Sequence, residues 1–441
     1  MFGEGIIVAT ASATGGAIAV IRLSGEGAIE CCDAIFRGRK ALSTVASHTI
    51  HYGNIVDNNT VIDDVVVAVF RAPHSYTGED SIEISAHGSQ YITTQIIELL
   101  CRHGARLAEP GEFSARAFAA GRIDLSQAEA VADIIAADSK AAHTLAATQM
   151  RGGYSEALNS LRDSLIELTA LLELELDFGE EDVEFADRTR LKTMLDKTTS
   201  IVERLMDSFH TGNAIRNGVG VAIVGAPNVG KSTLLNRLVG EERAMVSDIA
   251  GTTRDTIEES VVIDGIRFRF IDTAGIRKTD DRLEKMGIDR TLKAVERAHI
   301  VISMAEPNGE FESVKLDKNQ HLIKVVNKSD TTTEHSVENS LYISAREDIG
   351  IDALCQALRQ TVDTTALYRG DAVVSNARHF ESLRKAHIAL LAASQALTDN
   401  ISSELLTEDI RVAINHIGEI TGRITSDTIL QSIFSSFCIG K

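Results

Sequence analysis

Four prolines in 441 residues (Pro73, Pro110, Pro227 and Pro307) leave little to interrupt a helix, so long helices are open to this chain. Cysteine is scarce too. Cys31, Cys32, Cys101, Cys355 and Cys438 are odd in number and lack paired metal-ligand spacing, which argues against a disulfide framework or a zinc site and fits reduced thiols in a cytosol. Basic charge is in deficit, 44 Lys and Arg against 63 Asp and Glu for a net −19. That balance opposes broad non-specific binding to phosphate backbones, so a nucleic acid partner would be held by a local patch or by another protein. No run of about 18 apolar residues occurs, and nothing is expected to span a membrane. The uncharged stretch from Gly5 to Ile21 follows an acid, Glu4, and is diluted by Gly, Ser and Thr; it reads as two short strands and a Gly-rich turn, not a secretion signal.

What is present is core material: 44% of the residues are hydrophobic, and the length suggests about three domains at ~150 residues each. Residues 1–120 alternate apolar runs (AIAVIRL, VVVAVF, SIEISAHG) with turns and one helix stopped at Gly104, a small α+β domain. Residues 121–216 read as helical, with Leu158, Leu161, Leu165, Leu168 and Leu172 on one face. The five acids between Asp177 and Glu184 read as a surface turn. Residues 217–369 alternate strands and helices in the manner of a parallel α/β sheet. In residues 370–441 helices return, with Leu406, Ile410, Ala413, Ile417 and Ile420 as a second stripe. The whole is expected to be multidomain, an α+β domain followed by an all-α domain split in sequence by an inserted α/β module.

That module carries chemistry. VAIVGAPNVGKST places an apolar strand before Gly225-x4-Gly230-Lys231-Ser232. Backbone N–H groups of this turn, from Asn228, Val229 and Gly230 to Thr233, would wrap phosphates; Lys231 would reach the β- and γ-oxygens and Ser232 would ligate Mg²⁺. Further on, FRFIDTAG sets Asp272 to hold Mg²⁺ through water and Gly275 to meet the γ-phosphate. NKSD follows another strand, with Asn327, Lys328 and Asp330. The Asp330 carboxylate accepts two hydrogen bonds from guanine, whereas adenine would leave it unpaired, a mismatch worth about 10⁴-fold, so GTP is the expected nucleotide. Ser344, Ala345 and Arg346 would close over the base, and Thr252 and Thr253, in MVSDIAGTTRD, would complete the Mg²⁺ shell, assigned here to Ser232 and Thr253. One residue type is missing. After DTAG stands Ile276, where familiar GTPases have a water-orienting glutamine, and an alkyl chain makes no hydrogen bond to water.

These residues resemble the MnmE (TrmE) family of tRNA-modifying GTPases. GAPNVGKSTLLN, DIAGTTRD, DTAGIR, NKSD and SAR match its GTPase module, and TGEDSIEISAHG, PGEFSARAF, RIDLSQAEA and the terminal IFSSFCIGK match its other signatures, over essentially the whole chain. The resemblance implies a homodimer whose GTPase modules pair through their switches, with a K⁺ ion in place of an arginine finger. Asn228, Ser247, Ile249 and Thr252 would supply K⁺ ligands, and Glu284 would position water through a bridging water. It also implies a folate-binding N-terminal domain holding 5-formyl- or methylene-tetrahydrofolate through Arg22, Glu83, Arg122 and Lys441, with Cys438 delivered beside it. The partner would be the flavoprotein MnmG, and the product a (carboxymethyl)aminomethyl group at C5 of a wobble uridine in tRNA. On residues alone Glu284 also reads as an exposed helix residue and Cys438 as an inert structural thiol. A ribosome-assembly or signalling GTPase remains the rival function; a membrane-associated switch has neither span nor basic amphipathic helix to support it.

Overall fold

The computed structural model describes residues 3–13, 15–173, 188–240, 259–271, 292–331, 337–399, 401–435, 437 and 440, with the backbone alone of 174–177. Its residues fall into two compact units, Met1–Ala132 with Gly418–Lys441, and Asp133–Ile417.

The first unit is built on a seven-stranded sheet in the order β3-β4-β5-β6-β2-β1-β7. Its strands are β1 (Ile7–Thr10), β2 (Ile18–Ser24), β3 (Phe36–Gly38), β4 (Thr49–Asp57), β5 (Thr60–Phe70), β6 (Ser81–His87) and β7 (Arg106–Leu107). The Gly5 to Ile21 stretch is thus two strands and a turn. Along β5, Val65, Val67 and Val69 are buried while Asp64 and Val66 are exposed, the period-two pattern of a sheet with one covered face. Helices α1 (Ala28–Ile35) and α2 (Gln90–Arg102) pack Ile29, Ile35, Ile96 and Leu100 into the core those valines line. Cross-strand register sets Arg22 beside Glu83, Glu83 beside Ala68 and Ala68 beside Ile50, so these four share the other face. α3 (Glu112–Ala119) follows, and the unit closes with α14 (Asp427–Ser435), whose Phe434 packs with Phe437 against Ala115, Leu125 and Ala128. The helix stops at Ser435, yet Phe437 beyond it is buried, its ring edge-on to Phe434 at 5.5 Å.

The second unit contains a six-stranded sheet, β13-β12-β11-β8-β10-β9. The strands are β8 (Val219–Gly225), β9 (Glu259–Ile263), β10 (Ile266–Phe270), β11 (Ile300–Ala305), β12 (His321–Val326) and β13 (Leu341–Tyr342). The expectation of a parallel sheet holds for five strands and fails for β9, which runs antiparallel to β10. The reason lies in the two residues between them: Asp264 at φ 50 and Gly265 at φ 78 form a tight hairpin, the geometry an Asp-Gly pair favours and a crossover connection does not allow. The unit's helices include α5 (Lys140–Met150), α6 (Gly153–Asp177), α7 (Arg188–Asp207), α8 (Phe209–Asn217), α9 (Lys231–Gly240), α10 (Ile351–Gln360), α11 (Thr365–Arg369) and α12 (Ala377–Thr398); α5, α8, α9 and α10 share the buried cluster of the sheet, while α6 and α12 pack on α7. The leucine stripe of α6 is buried throughout, and so are Leu406, Ile410, Ala413, Ile417 and Ile420 of α13 (Ser403–Thr421). The unit boundaries fall inside α13 and inside α4 (Leu125–Ala136). Among the described residues no helix is long and apolar enough to cross a membrane.

Candidate functional site

β8 is apolar and buried along its length until Gly225, where the chain must turn into α9. The turn uses backbone conformations that most side chains resist: Gly225 at φ 146, Asn228 at φ 63 and Gly230 at φ 105. At Gly230 a Cβ would lie 2.1 Å from Asn327 Nδ2, so only glycine lets the two segments meet. Val229 is buried beneath the turn, while Asn228 is exposed on it. Lys231, Ser232 and Thr233 open α9, where the first N–H groups of a helix lack intrahelical acceptors and the helix dipole favours an anion. Lys231 Nζ donates to the carbonyls of Gly225 at 2.5 Å and Ala226 at 2.9 Å, which holds the ammonium in the mouth of the turn. Burial lowers its pKa, with the Glu312 carboxylate opposing.

The NKSD segment closes the other side. Asn327 is buried, donates to the Val229 carbonyl at 2.8 Å and accepts from the Ala345 N–H at 3.0 Å. One amide side chain thereby ties the phosphate loop to the Ser344–Arg346 loop. That loop is held again by Arg237 of α9, which donates to the Ala345 and Arg346 carbonyls, and the Ser344 hydroxyl accepts from the Glu347 N–H. Lys328 adopts φ 61, and its ammonium is ion-paired with Glu306 at the end of β11. Asp330 lies in the short 3₁₀ turn that follows. The structure brings together the described nucleotide residues Asn228 to Thr233, Asn327 to Asp330 and Ser344 to Arg346 at the C-terminal ends of parallel strands, where open α/β sheets bind ligands.

In the first unit, Arg22 donates through Nε and Nη2 to one oxygen of Glu83 at 2.9 and 2.8 Å, and through Nη1 to the Gly440 carbonyl at 3.2 Å. Its guanidinium lies 5.7 Å from the Tyr76 ring centre and 5.8 Å from that of Phe113, so two aromatic faces flank it. Tyr76 is fixed by a 2.8 Å hydrogen bond to Ser114, and burial raises its pKa against the lowering effects of that bond and of Arg22. Gly440, at φ 94, approaches the chain so closely that a Cβ would sit 2.4 Å from the Thr10 carbonyl. The stem of Arg122 comes within 3.5 Å of where a Cβ on Gly78 would be. Tyr76 and Phe113 are residues that sequence reasoning missed; both stand in apolar or turn contexts that carry no signal of their own. Behind them Glu112, fully buried, is shared by Arg106 and Arg116, and Arg116 continues to Glu79.

Two family models cover the chain, the GTP-binding protein TrmE N-terminus over residues 6–122 and the MnmE helical domain over residues 125–438. A tRNA modification GTPase MnmE from Flavobacterium johnsoniae is 49% identical over 466 residues, spanning all of both chains. One from Bacteroides thetaiotaomicron is 47% identical over 460 residues, covering 99% of each. The chain belongs to the MnmE family of tRNA modification GTPases. Among solved structures, an Era variant from Aquifex aeolicus bound to GDP·AlF4⁻ is 25% identical over 39% of this chain and 66% of its own, at a TM-score of 0.24.

As an MnmE-family member the chain is a GTP hydrolase of tRNA modification with a P-loop GTPase module, and its family uses GTP as substrate with Mg²⁺ as metal ion. Several residues singled out in the sequence lie outside the described ones: Ser247, Ile249, Thr252 and Thr253 in the first switch candidate, Asp272, Gly275, Ile276 and Glu284 in the second, and Cys438 and Lys441 at the tail. Ser232, the described candidate for Mg²⁺, stands in the first turn of α9. The short, irregular run from Glu306 to Gln320 is anchored by Gln320, whose amide donates to the Val295 and Ala298 carbonyls.

Proposed function

We propose that this GTPase is a cytoplasmic, homodimeric, K⁺-stimulated enzyme that acts with the flavoprotein MnmG to form a (carboxymethyl)aminomethyl group at C5 of the wobble uridine in tRNA, with a tetrahydrofolate as one-carbon donor. The reading rests above all on two chemically different sites in one chain: a phosphate loop tied by Asn327, and an Arg22–Glu83 pair flanked by Tyr76 and Phe113. A switch without modification chemistry needs only the first.

In hydrolysis, water attacks the γ-phosphorus of GTP, the bond to the β–γ bridging oxygen breaks, and GDP and phosphate leave. Lys231 stabilises charge on the β- and γ-oxygens, the N–H groups from Gly230 to Thr233 hold the phosphates, and Asp330 pairs with the guanine edge. Glu284 takes the water-orienting part that Ile276 cannot. Ser232 and Thr253 would hold Mg²⁺, which would supply positive charge to the phosphate oxygens. An oxygen-ligated K⁺ at Asn228, Ser247, Ile249 and Thr252 would neutralise charge between the β- and γ-phosphates, as an arginine finger does at a worth of about 10³ to 10⁵ in rate; the exposed Asn228 amide on its left-handed backbone fits such a ligand.

The Arg22 site fits a folate on its own chemistry. The Glu83 carboxylate beside Arg22 can accept from the N–H and amino edge of a pterin, and Arg22, its guanidinium flanked by the Tyr76 and Phe113 rings, with Arg122 and Lys441, meets carbonyl or carboxylate oxygens. Cys438 would stand beside it as a reactive thiol. Exposed Ile50, Tyr52 and Val66 lie on the same sheet face as Arg22 and Glu83, an apolar surface suited to a second copy.

Two titrations test the reading on the full chain. Replacing K⁺ by Na⁺ in the presence of GDP and AlF4⁻ should weaken dimerisation of the GTPase modules and slow GTP turnover together, and equal behaviour in both salts removes the cation. 5-Formyltetrahydrofolate should bind the unaltered chain and not the Arg22→Ala variant. No binding to either removes the folate.

A further inference from the structure

The two candidate switch segments are joined by a single hairpin. The first, Met245 to Asp255, leads within a few residues into β9 at Glu259, and β10 ends at Phe270, two residues before Asp272. The turn between the strands, Asp264–Gly265, lies toward the start of β8, since Phe268 pairs with Val219. β8 runs from Val219 to Gly225, six residue steps, so the turn lies about 20 Å from the phosphate loop at ~3.3 Å per residue.

The hairpin tip is seated on the first turn of α5. The Gly265 carbonyl accepts from the Ala141 N–H at 2.9 Å, a donor that has no acceptor within its own helix. Ser139 caps the next, with its hydroxyl accepting from the Ala142 N–H at 3.2 Å. Arg267 is ion-paired with Asp138, just before the helix, and donates to the Asn217 carbonyl at 2.7 Å where α8 passes into β8. Glycine is needed beside it: a Cβ on Gly218 would lie 2.7 Å from Arg267 Nε. Ala141 and Leu145 of α5 belong to the same buried cluster as Ile266, Phe268 and Phe270. The far end of α5 is held as well, since Gln149 donates to the Val373 carbonyl at 3.0 Å and the Ser375 hydroxyl at 3.2 Å, on the segment by which the chain leaves the sheet for α12.

We infer that the β9–β10 hairpin is a lever, its tip on α5 carrying the nucleotide state of the two switches into the helices. The inference rests on the family's GTPase activity and adds the contact through which that activity reaches the rest of the chain. A paired strand is stiff along its length, so a shift at either switch is carried to the turn. A displacement of about 1 Å takes the Gly265–Ala141 bond out of hydrogen-bonding range and unseats the charge pair at the same place. Packed contacts of this kind switch between discrete arrangements instead of deforming smoothly.

Hydrogen exchange on the full chain tests it, comparing GDP with GDP·AlF4⁻ in K⁺. Amides 139–145 should change protection between the two states by roughly tenfold or more, a response a static scaffold would not give. Asp138→Asn should erase that dependence while leaving GDP affinity within about twofold, and the swap of Asp138→Arg with Arg267→Asp should restore it. Equal protection of 139–145 in both states, with amides 228–233 responding to nucleotide, overturns the lever. No response at 228–233 either would overturn the GTPase reading beneath it.

Discussion

The phosphate loop and the Arg22 site solve the problem of ligand placement in opposite ways. The loop is contiguous, eight residues from Gly225 to Ser232, and its donors are mostly backbone, so its shape follows from three positive φ angles and one tie from Asn327. The Arg22 site is gathered from β2, β6, the Tyr76 loop, α3 and the chain's end, and each side chain is held by another, Arg22 by Glu83, Tyr76 by Ser114, Glu112 by two arginines. A backbone site tolerates change in its surroundings and fails at its few essential side chains. A side-chain site is as stable as the ion pairs behind it.

The sharpest break in that contrast is Lys231→Ala. On the proposed function its ammonium would be the loop's main side-chain charge toward the phosphates, so GTP hydrolysis measured as phosphate release should fall by at least about 10³-fold with the fold intact by circular dichroism. In the other unit the corresponding change is Glu112→Gln. Burial pushes the Glu112 pKa up, but hydrogen bonds from Arg106, the Glu109 N–H and Arg116 outweigh it and hold the pKa below its usual value. Loss of the charge leaves two arginines facing each other at a cost of about 3 kcal/mol, read by urea unfolding. The sign of the pH dependence follows. A depressed carboxylate stabilises above its unfolded pKa near ~4.3, and this stabilisation drains away as pH falls through the lower folded value, whereas the Gln variant should show a flatter acid limb.

Asn327→Ala comes next. It strips a buried side chain that satisfies the Val229 carbonyl and the Ala345 N–H, and about 2 kcal/mol, or ~30-fold in GDP affinity, should be lost. Weakening of that size with turnover at saturating GTP little changed would mark Asn327 as a tie between loops; a loss confined to turnover would contradict this.

The same contrast explains what could be read from residues alone. The loop was legible because strand, glycines, lysine and helix follow one another, and the leucine stripe of α6 because helical periodicity is local. Tyr76 and Phe113 were not, because a ring's role over Arg22 depends on the register that sets β2 beside β6, and no short window of sequence contains both. The antiparallel strand β9 is a different kind of miss. Its Asp-Gly signal is present in IDGI, but the alternation of strands and helices on either side argues for a crossover. Glu306 beside Lys328 lay in a run that has no regular pattern, and only the fold brings the end of β11 next to the NKSD turn.

The smallest expected effect falls on the start of α5, where the β9–β10 hairpin is seated. Ser139 is buried and its hydroxyl accepts from the Ala142 N–H, while Gly265 already serves Ala141. Ser139→Ala therefore orphans one donor of the first turn and leaves its neighbour bonded. The cost should be about 1 kcal/mol, a fall in Tm of roughly 1–2 °C for a unit of this size, followed by thermal circular dichroism. A loss near 3 kcal/mol would mean that the cap and the Gly265 bond stand or fall together, and that the seat of the hairpin on α5 is one cooperative contact.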